Sequence, residues 1–159
     1  MSRVARAARV ASRQRTEVLG NGSSAATAKA ITAAETGELY LINHNHASEL
    51  AITLPPIQEG AYFRFQVMTL LNENGSITIN KHADTAAGEI KGTILVIDNE
   101  SANTDTDVAT NKDGGSATKL TLSDHIHVGT YIDVHCDGTN WQFSGLAIAN
   151  NLNRVVFDA

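Results

Sequence analysis

The chain has 159 residues, a single cysteine and a net charge of −5, with 42% apolar but only 5% aromatic residues. That length supports one domain with a proper core and would leave two undersized, and one cysteine, Cys136, excludes an internal disulfide framework. No run approaches the roughly 20 apolar residues that span a bilayer, and no apolar core follows the basic start as a secretory signal requires, so a soluble, unprocessed protein is expected.

In chain order, the first element is basic. MSRVARAARVASRQR holds Arg3, Arg6, Arg9, Arg13 and Arg15 and no acid, so these residues carry +5 and the remainder −10, the two adding to −5. Spacings of three, three and four place the first four arginines on one face of a helix, with Val4, Ala7, Ala8, Val10 and Ala11 elsewhere around it. Such a segment suits an organelle transit peptide, a phosphate grip on nucleic acid, or a docking arm on an acidic protein surface. A docking arm over residues 1–19 is expected. Residues 20–37, GNGSSAATAKAITAAETG, read as a small-residue linker with almost no apolar bulk.

From Glu38 the pattern turns to period two. ELYLIN, ELAITLP, AYFRFQVMTL, SITIN, TILVID, TKLTLS, TYIDVHCD and NWQFSG are eight runs of strand type bounded mostly by Gly, Pro, Asn or Asp. Tyr62, Arg64 and Gln66 alternate with Phe63, Phe65 and Val67, which predicts one wet face and one core face. Many short strands at this spacing imply an all-β fold, an antiparallel, jelly-roll-like β-sandwich over residues 38–145. DNESANTDTDVATNKDGGSAT, residues 98–118, reads as an exposed excursion or partner-contacting loop. In the last hairpin, Asp137-Gly138 supplies residues that tolerate positive φ, and Trp141, the only tryptophan, is expected to anchor one end of the sandwich. Residues 146–159 are apolar again and read as another strand or a tail packed on the domain or a neighbour.

Few side chains stand in a pattern that chemistry requires. Asn43-His44-Asn45-His46 has the letters of a His-Asn-His nuclease, but that site needs a ββα element that is not readable here. His125 and His127, two apart, would share a face if they lay on a strand, and two imidazoles can hold a metal; with no third ligand nearby, hydrogen-bonded or solvated histidines are the expectation and no metal is assigned. Asp105 and Asp107 lack the Gly and terminal Glu of a calcium loop. Cys136 alternates with Val134 and Ile132 and reads as a small buried hydrophobe. No phosphate loop or nucleophile elbow is present, so neither an enzyme nor a cofactor is expected.

The succession AITAAETGELYLIN, AITLPPIQEGAYFRFQV, SITIN and VGTYIDVHCDGTNWQFSG resembles a module of small tailed-bacteriophage virion proteins, chiefly capsid decoration (cement) proteins and some fibre proteins. The resemblance rests on Leu54-Pro55, on Gly60 with Phe63 and Phe65, on Val128-Gly129, on Asp137 to Trp141 and on Ser144-Gly145, within residues 31–145. It implies a structural protein on the outer capsid surface that clamps the major capsid protein, usually as a homotrimer, with Asp137, Gly138 and Trp141 forming a structural hairpin. The five arginines of the arm lie outside the resemblance and are assigned to capsid contact from charge alone. Two other readings stay open, a head or tail fibre receptor-binding module and a nucleic-acid-binding protein using the arm.

Overall fold

The computed structural model describes residues 14–26, 28–84, 88–99 and 109–158. The fold over these residues is all-β, with two single-turn 3-10 helices, at Ala33–Glu35 and Leu152–Arg154. Twelve strands follow in order: β1 Thr16–Gly22, β2 Lys29–Ala30, β3 Leu39–His44, β4 Glu49–Thr53, β5 Tyr62–Val67, β6 Ser76–Asn80, β7 Ile90–Asp98, β8 Ala109–Ala117, β9 Lys119–Ser123, β10 Tyr131–Cys136, β11 Trp141–Ala149 and β12 Val155–Asp158. They form a seven-stranded sheet, β1-β3-β5-β10-β11-β7-β8, and a five-stranded sheet, β12-β9-β6-β4-β2. The apolar inner faces of both sheets form one core, in which Tyr40, Phe63, Phe65, Trp141 and Phe143 of the larger sheet are buried with Leu50, Ile52, Ile77, Ile79 and Leu120 of the smaller.

The strands are not all antiparallel as the alternation suggested; both sheets are mixed. The chain between Thr16 and Asn80 passes from one sheet to the other at every strand, so β1, β3 and β5 pair in parallel in one sheet and β2, β4 and β6 in the other. This is a coil of three rungs. Thr16, Leu39 and Arg64 stand in register across the larger sheet, and Lys29, Ile52 and Ile79 across the smaller. Inside the coil Leu19, Ile42 and Val67 form an aliphatic ladder, while Tyr40 stacks on Phe65 with centroids 5.3 Å apart and planes 16° from parallel.

Two further departures have local causes. Strand β1 begins inside the expected arm and ends inside the expected linker; Leu19, its one buried residue, packs into the core, which ties the segment to the sheet. In the expected 98–118 loop, Ala109–Ala117 is instead strand β8, held by antiparallel backbone pairing with β7 rather than by an apolar pattern. Gly114 of β8 lies under the ring of Phe157 from β12, where a Cβ would come within 2.7 Å of that ring, so a strand almost free of apolar side chains still packs closely. The C-terminal residues supply the end of β11 and β12, which pairs with β9. At this end a single residue, Thr118, carries the chain from β8 in one sheet to β9 in the other, and Phe157 meets Phe143 edge-on at 6.2 Å.

Candidate interaction site

The first rung differs from the two behind it. Where the second and third rungs put Tyr40 and Phe65 inside, the first puts Glu17; where they put Ile52 and Ile79, it puts Lys29. The Lys29 ammonium lies 2.8 Å from Glu17 and 2.5 Å from Glu35, which links the two sheets across the open end of the coil. Charged groups at the terminal turn of a coiled β stack satisfy the place where the next apolar layer would otherwise be exposed. Glu35 is further held by the backbone N–H of Thr32 at 2.5 Å and by its hydroxyl at 2.7 Å. The carboxylates of Glu17, Glu35 and Glu38 lie within 4.8 Å of one another, a spacing that suits a cation, and Lys29 already stands among them as counter-ion.

The electrostatics follow from that packing. Burial alone would push Glu35 up, but its hydrogen bonds to Lys29 and Thr32 outweigh it and hold the carboxyl at about 2. Burial opposes the charge on Lys29, and the bonds it donates to Glu17 and Glu35 reverse this and raise its pKa. The Tyr40 phenol beneath is pushed above its ordinary range by burial and by the charges of Glu35, Glu38 and Glu17.

Of the five arginines assigned to partner contact, Arg3, Arg6, Arg9 and Arg13 lie outside the described residues. Arg15 stands immediately before β1: its carbonyl accepts from the Leu39 N–H at 2.8 Å and its guanidinium lies 3.5 Å from buried Glu38. The basic segment therefore continues into a strand fixed at the edge of the larger sheet.

The hairpin works through a side chain rather than through two left-handed residues. Only Gly138 has a positive φ, +91°, while the Asp137 carboxylate accepts from the N–H of Asn140 at 2.7 Å, the N–H of Thr139 at 2.8 Å and the Gln142 amide at 2.6 Å. The Asn140 N–H, the Gln142 amide and the Thr139 N–H hold Asp137 down at about 2. Trp141 follows, fully buried, its ring 6.0 Å from Phe63, so no face of it is open to stack on a sugar.

The histidines serve turns. His125 and His127 do not share a strand face: Asp124 and His125 adopt left-handed φ of 35° and 48°, and the segment is a bend between β9 and β10. The His127 ring lies 3.4 Å from the Asn99 amide. His44 is buried with its Nε2 2.8 Å from the Ser48 carbonyl, and His46 Nδ1 is 2.9 Å from the Ser48 hydroxyl, so both order the β3–β4 connection. Cys136 is buried opposite Trp141. Asp105 and Asp107 fall outside the described residues.

The outer face of the seven-stranded sheet is half polar and half apolar. On its polar half Arg64 forms a two-pronged pair with Asp133, both contacts 2.5 Å, and Tyr62 donates to the same carboxylate at 2.8 Å. Arg64 holds Asp133 below the usual carboxylate range, against burial and with help from Tyr62. Sequence reasoning missed the apolar half and the Glu17–Lys29 closure. No helix among the described residues is long and apolar enough to cross a membrane. No family model, curated protein or solved structure matches the chain.

Proposed function

We propose that this chain is a structural virion protein that binds the assembled phage capsid from outside and stabilises it, a decoration or cement protein that contacts the major capsid protein as a homotrimer. The observation that carries the reading is the rooting of the basic segment. Residues 1–13 hold four arginines and no acid, so the remaining chain has a net charge of −9, the +4 and −9 adding to −5. The segment is continued by Arg15 and β1, which are fixed to β3 by backbone pairing and to the core by Leu19. A grip that leaves from a fixed strand loses less freedom on binding than one at the end of a long linker. With 13 residues it reaches about 20 Å as a helix or about 43 Å extended, enough to touch a neighbouring shell subunit either way. A protein that binds only the assembled shell stabilises it by mass action, summed over many copies. The jelly-roll-like relationship belongs to this reading too, with the three parallel rungs as its departure.

Copy number in purified particles tests the proposal: a decoration protein approaches the number of capsid subunits, a fibre module is present in few copies. In parallel, the protein lacking residues 2–13 should keep its β-type circular dichroism and fail to bind shells prepared without it. Undiminished binding by that form would remove the arm from the mechanism, and displacement from shells by short duplex DNA at micromolar levels would move the nucleic-acid reading ahead.

A further inference from the structure

Four pairs in the sequence have the composition that closes most readily to a five-membered succinimide: Asn21-Gly22, Asn74-Gly75, Asp113-Gly114 and Asp137-Gly138. In that reaction the backbone nitrogen of the following residue attacks the side-chain carbonyl carbon, Cγ. Glycine, with no Cβ in the way, lets this nitrogen turn and approach most freely. The attack needs a side chain and a backbone N–H that are free to move, and it needs a leaving group, ammonia from Asn or water from a protonated Asp.

Three of the four pairs are restrained. The Gly75 N–H donates to the Asn72 carbonyl at 3.0 Å, the Asn74 N–H donates to Asp124 at 2.8 Å, and a Cβ on Gly75 would stand 2.5 Å from the His46 carbonyl oxygen. Asp137 accepts from Thr139, Asn140 and Gln142, and those bonds keep its carboxyl ionised at neutral pH, which makes it a poor leaving group. Asp113 accepts from the Thr93 hydroxyl at 2.7 Å, and Gly114 pairs with Gly92 beneath the ring of Phe157.

Asn21 is placed differently. Strand β1 pairs residue by residue with β3 from Thr16 to Leu19, and then three steps of β1, to Gly22, match two of β3, to His44, so one extra residue bulges out. Asn21 stands in that bulge between Gly20 and Gly22, whose φ values are 85° and 79°. Its side chain is exposed, and no hydrogen bond holds it among the described residues. Strand β1 is an edge of its sheet and Gly22 is its last residue, the place where a strand opens first. We propose that Asn21-Gly22 is a self-modification site. The Gly22 nitrogen bonds to Asn21 Cγ, the side-chain nitrogen leaves as ammonia with the proton of the Gly22 N–H, and water opens the ring at either carbonyl to leave isoaspartate or aspartate. Both products add one negative charge, taking the chain from −5 to −6. The new carboxylate joins Glu17 on the wall of a cavity of about 310 Å³ that Asn21 and Lys29 also line. Isoaspartate further routes the backbone through Cβ, one atom longer, between buried Leu19 and the Gly22–His44 pair, and so loosens the end of β1. The inference does not depend on the shell-binding reading.

The test compares the two Asn-Gly pairs with and without the fold. Full-length protein is kept at pH 8 and 37 °C, folded or in concentrated urea, and samples are digested with trypsin, which releases residues 16–29 and 65–81 as separate peptides. Amide-to-acid conversion is read by mass, and isoaspartate by enzymatic carboxyl methylation. In the folded protein residue 21 should convert at least tenfold faster than residue 74, and in urea the two rates should agree within about twofold. Folded rates within twofold of each other, or residue 74 the faster, would overturn the assignment, as would a tenfold difference that persists in urea, because sequence and not structure would then set it. Anion exchange separates the aged form. Its isoaspartate fraction should melt at least about 2 °C below Asn21→Asp, which carries the same charge on an ordinary backbone. Equal melting would overturn the loosening of β1.

Discussion

Replacing Lys29 with Met should destabilise the protein at neutral pH and do so less as pH falls. The substitution keeps most of the apolar stem beside Tyr40, where the ammonium now lies 5.6 Å from the ring centre, and removes the cation that bridges Glu17 and Glu35. A hydrogen bond to a charged group contributes about 1.5–3 kcal/mol. The Glu35 side chain is only 17% exposed, so its bond to Lys29 belongs near the middle of that range; Glu17 is 39% exposed, and screening reduces its share to about 0.5 kcal/mol. The expected loss is about 2–3 kcal/mol at pH 7, or about 4–12 °C in melting temperature for a chain of this size.

The pH dependence distinguishes this from simple loss of packing. In the wild type Glu35 is held at about 2, below its unfolded value, so its contribution is present above the ordinary Glu range and lost as pH falls toward 2. Without Lys29 most of that depression of Glu35 is removed, so the variant has less stability to lose as pH falls. Urea unfolding followed by circular dichroism at pH 7 and pH 3 should therefore show the gap between variant and wild type narrowing at the lower pH. A gap below about 0.5 kcal/mol at pH 7, or one that does not change between the two, would refute the view that Lys29 closes the coil.

Removing residues 2–13 should leave the melting temperature within a few degrees of wild type, whereas removing 2–22 also strips β1 and the buried Leu19 and should cost about 2 kcal/mol or more, as read from denaturant midpoints. Trp141→Ala should cost about 3–5 kcal/mol by the same assay, because the ring is fully buried against Phe63. Asp137→Ala should abolish one part of the acid sensitivity: the wild-type carboxylate, held at about 2, contributes fully above the ordinary Asp value and loses that contribution as pH falls toward 2, so the two pH profiles should converge in acid. His125→Ala with His127→Ala should leave stability unaffected by chelators, checked by melting with and without EDTA; a chelator-dependent melt in the wild type that the double variant lacks would restore the metal reading.

How much of this was legible can be argued strand by strand. The eight period-two runs fall on β3 to β7 and β9 to β11, because each alternates core residues such as Phe63, Phe65 and Val67 with wetter ones. Strand β8, ATNKDGGSA, has no such signal, since backbone pairing to β7 and the ring of Phe157 over Gly114 hold it in place. Strand β1 was hidden for a related reason: its inward positions are Glu17 and Leu19, and a charged residue facing inward reads as linker unless its partner is known. The partner, Lys29, is in the other sheet.

The three rungs escaped as a repeat because stacking constrains position and not identity. Glu17, Tyr40 and Phe65 occupy one inward column, Lys29, Ile52 and Ile79 another, and the residues between them number differently in each turn. The change along each column is what a coil with an end requires: apolar where another layer covers it, charged where, among the described residues, none does. The apolar outer row left a fainter trace. ELYLIN and TILVID are apolar in both phases, Leu39 and Leu41 as well as Tyr40 and Ile42, Leu95 and Ile97 as well as Ile94 and Val96. In an antiparallel-sheet reading the second phase should be wet. The structure sets Leu41 and Leu95 outward in one row, with no core element over them among the described residues, so alternation failed in these two strands because both of their faces are apolar and burial between the two sheets accounts for only one.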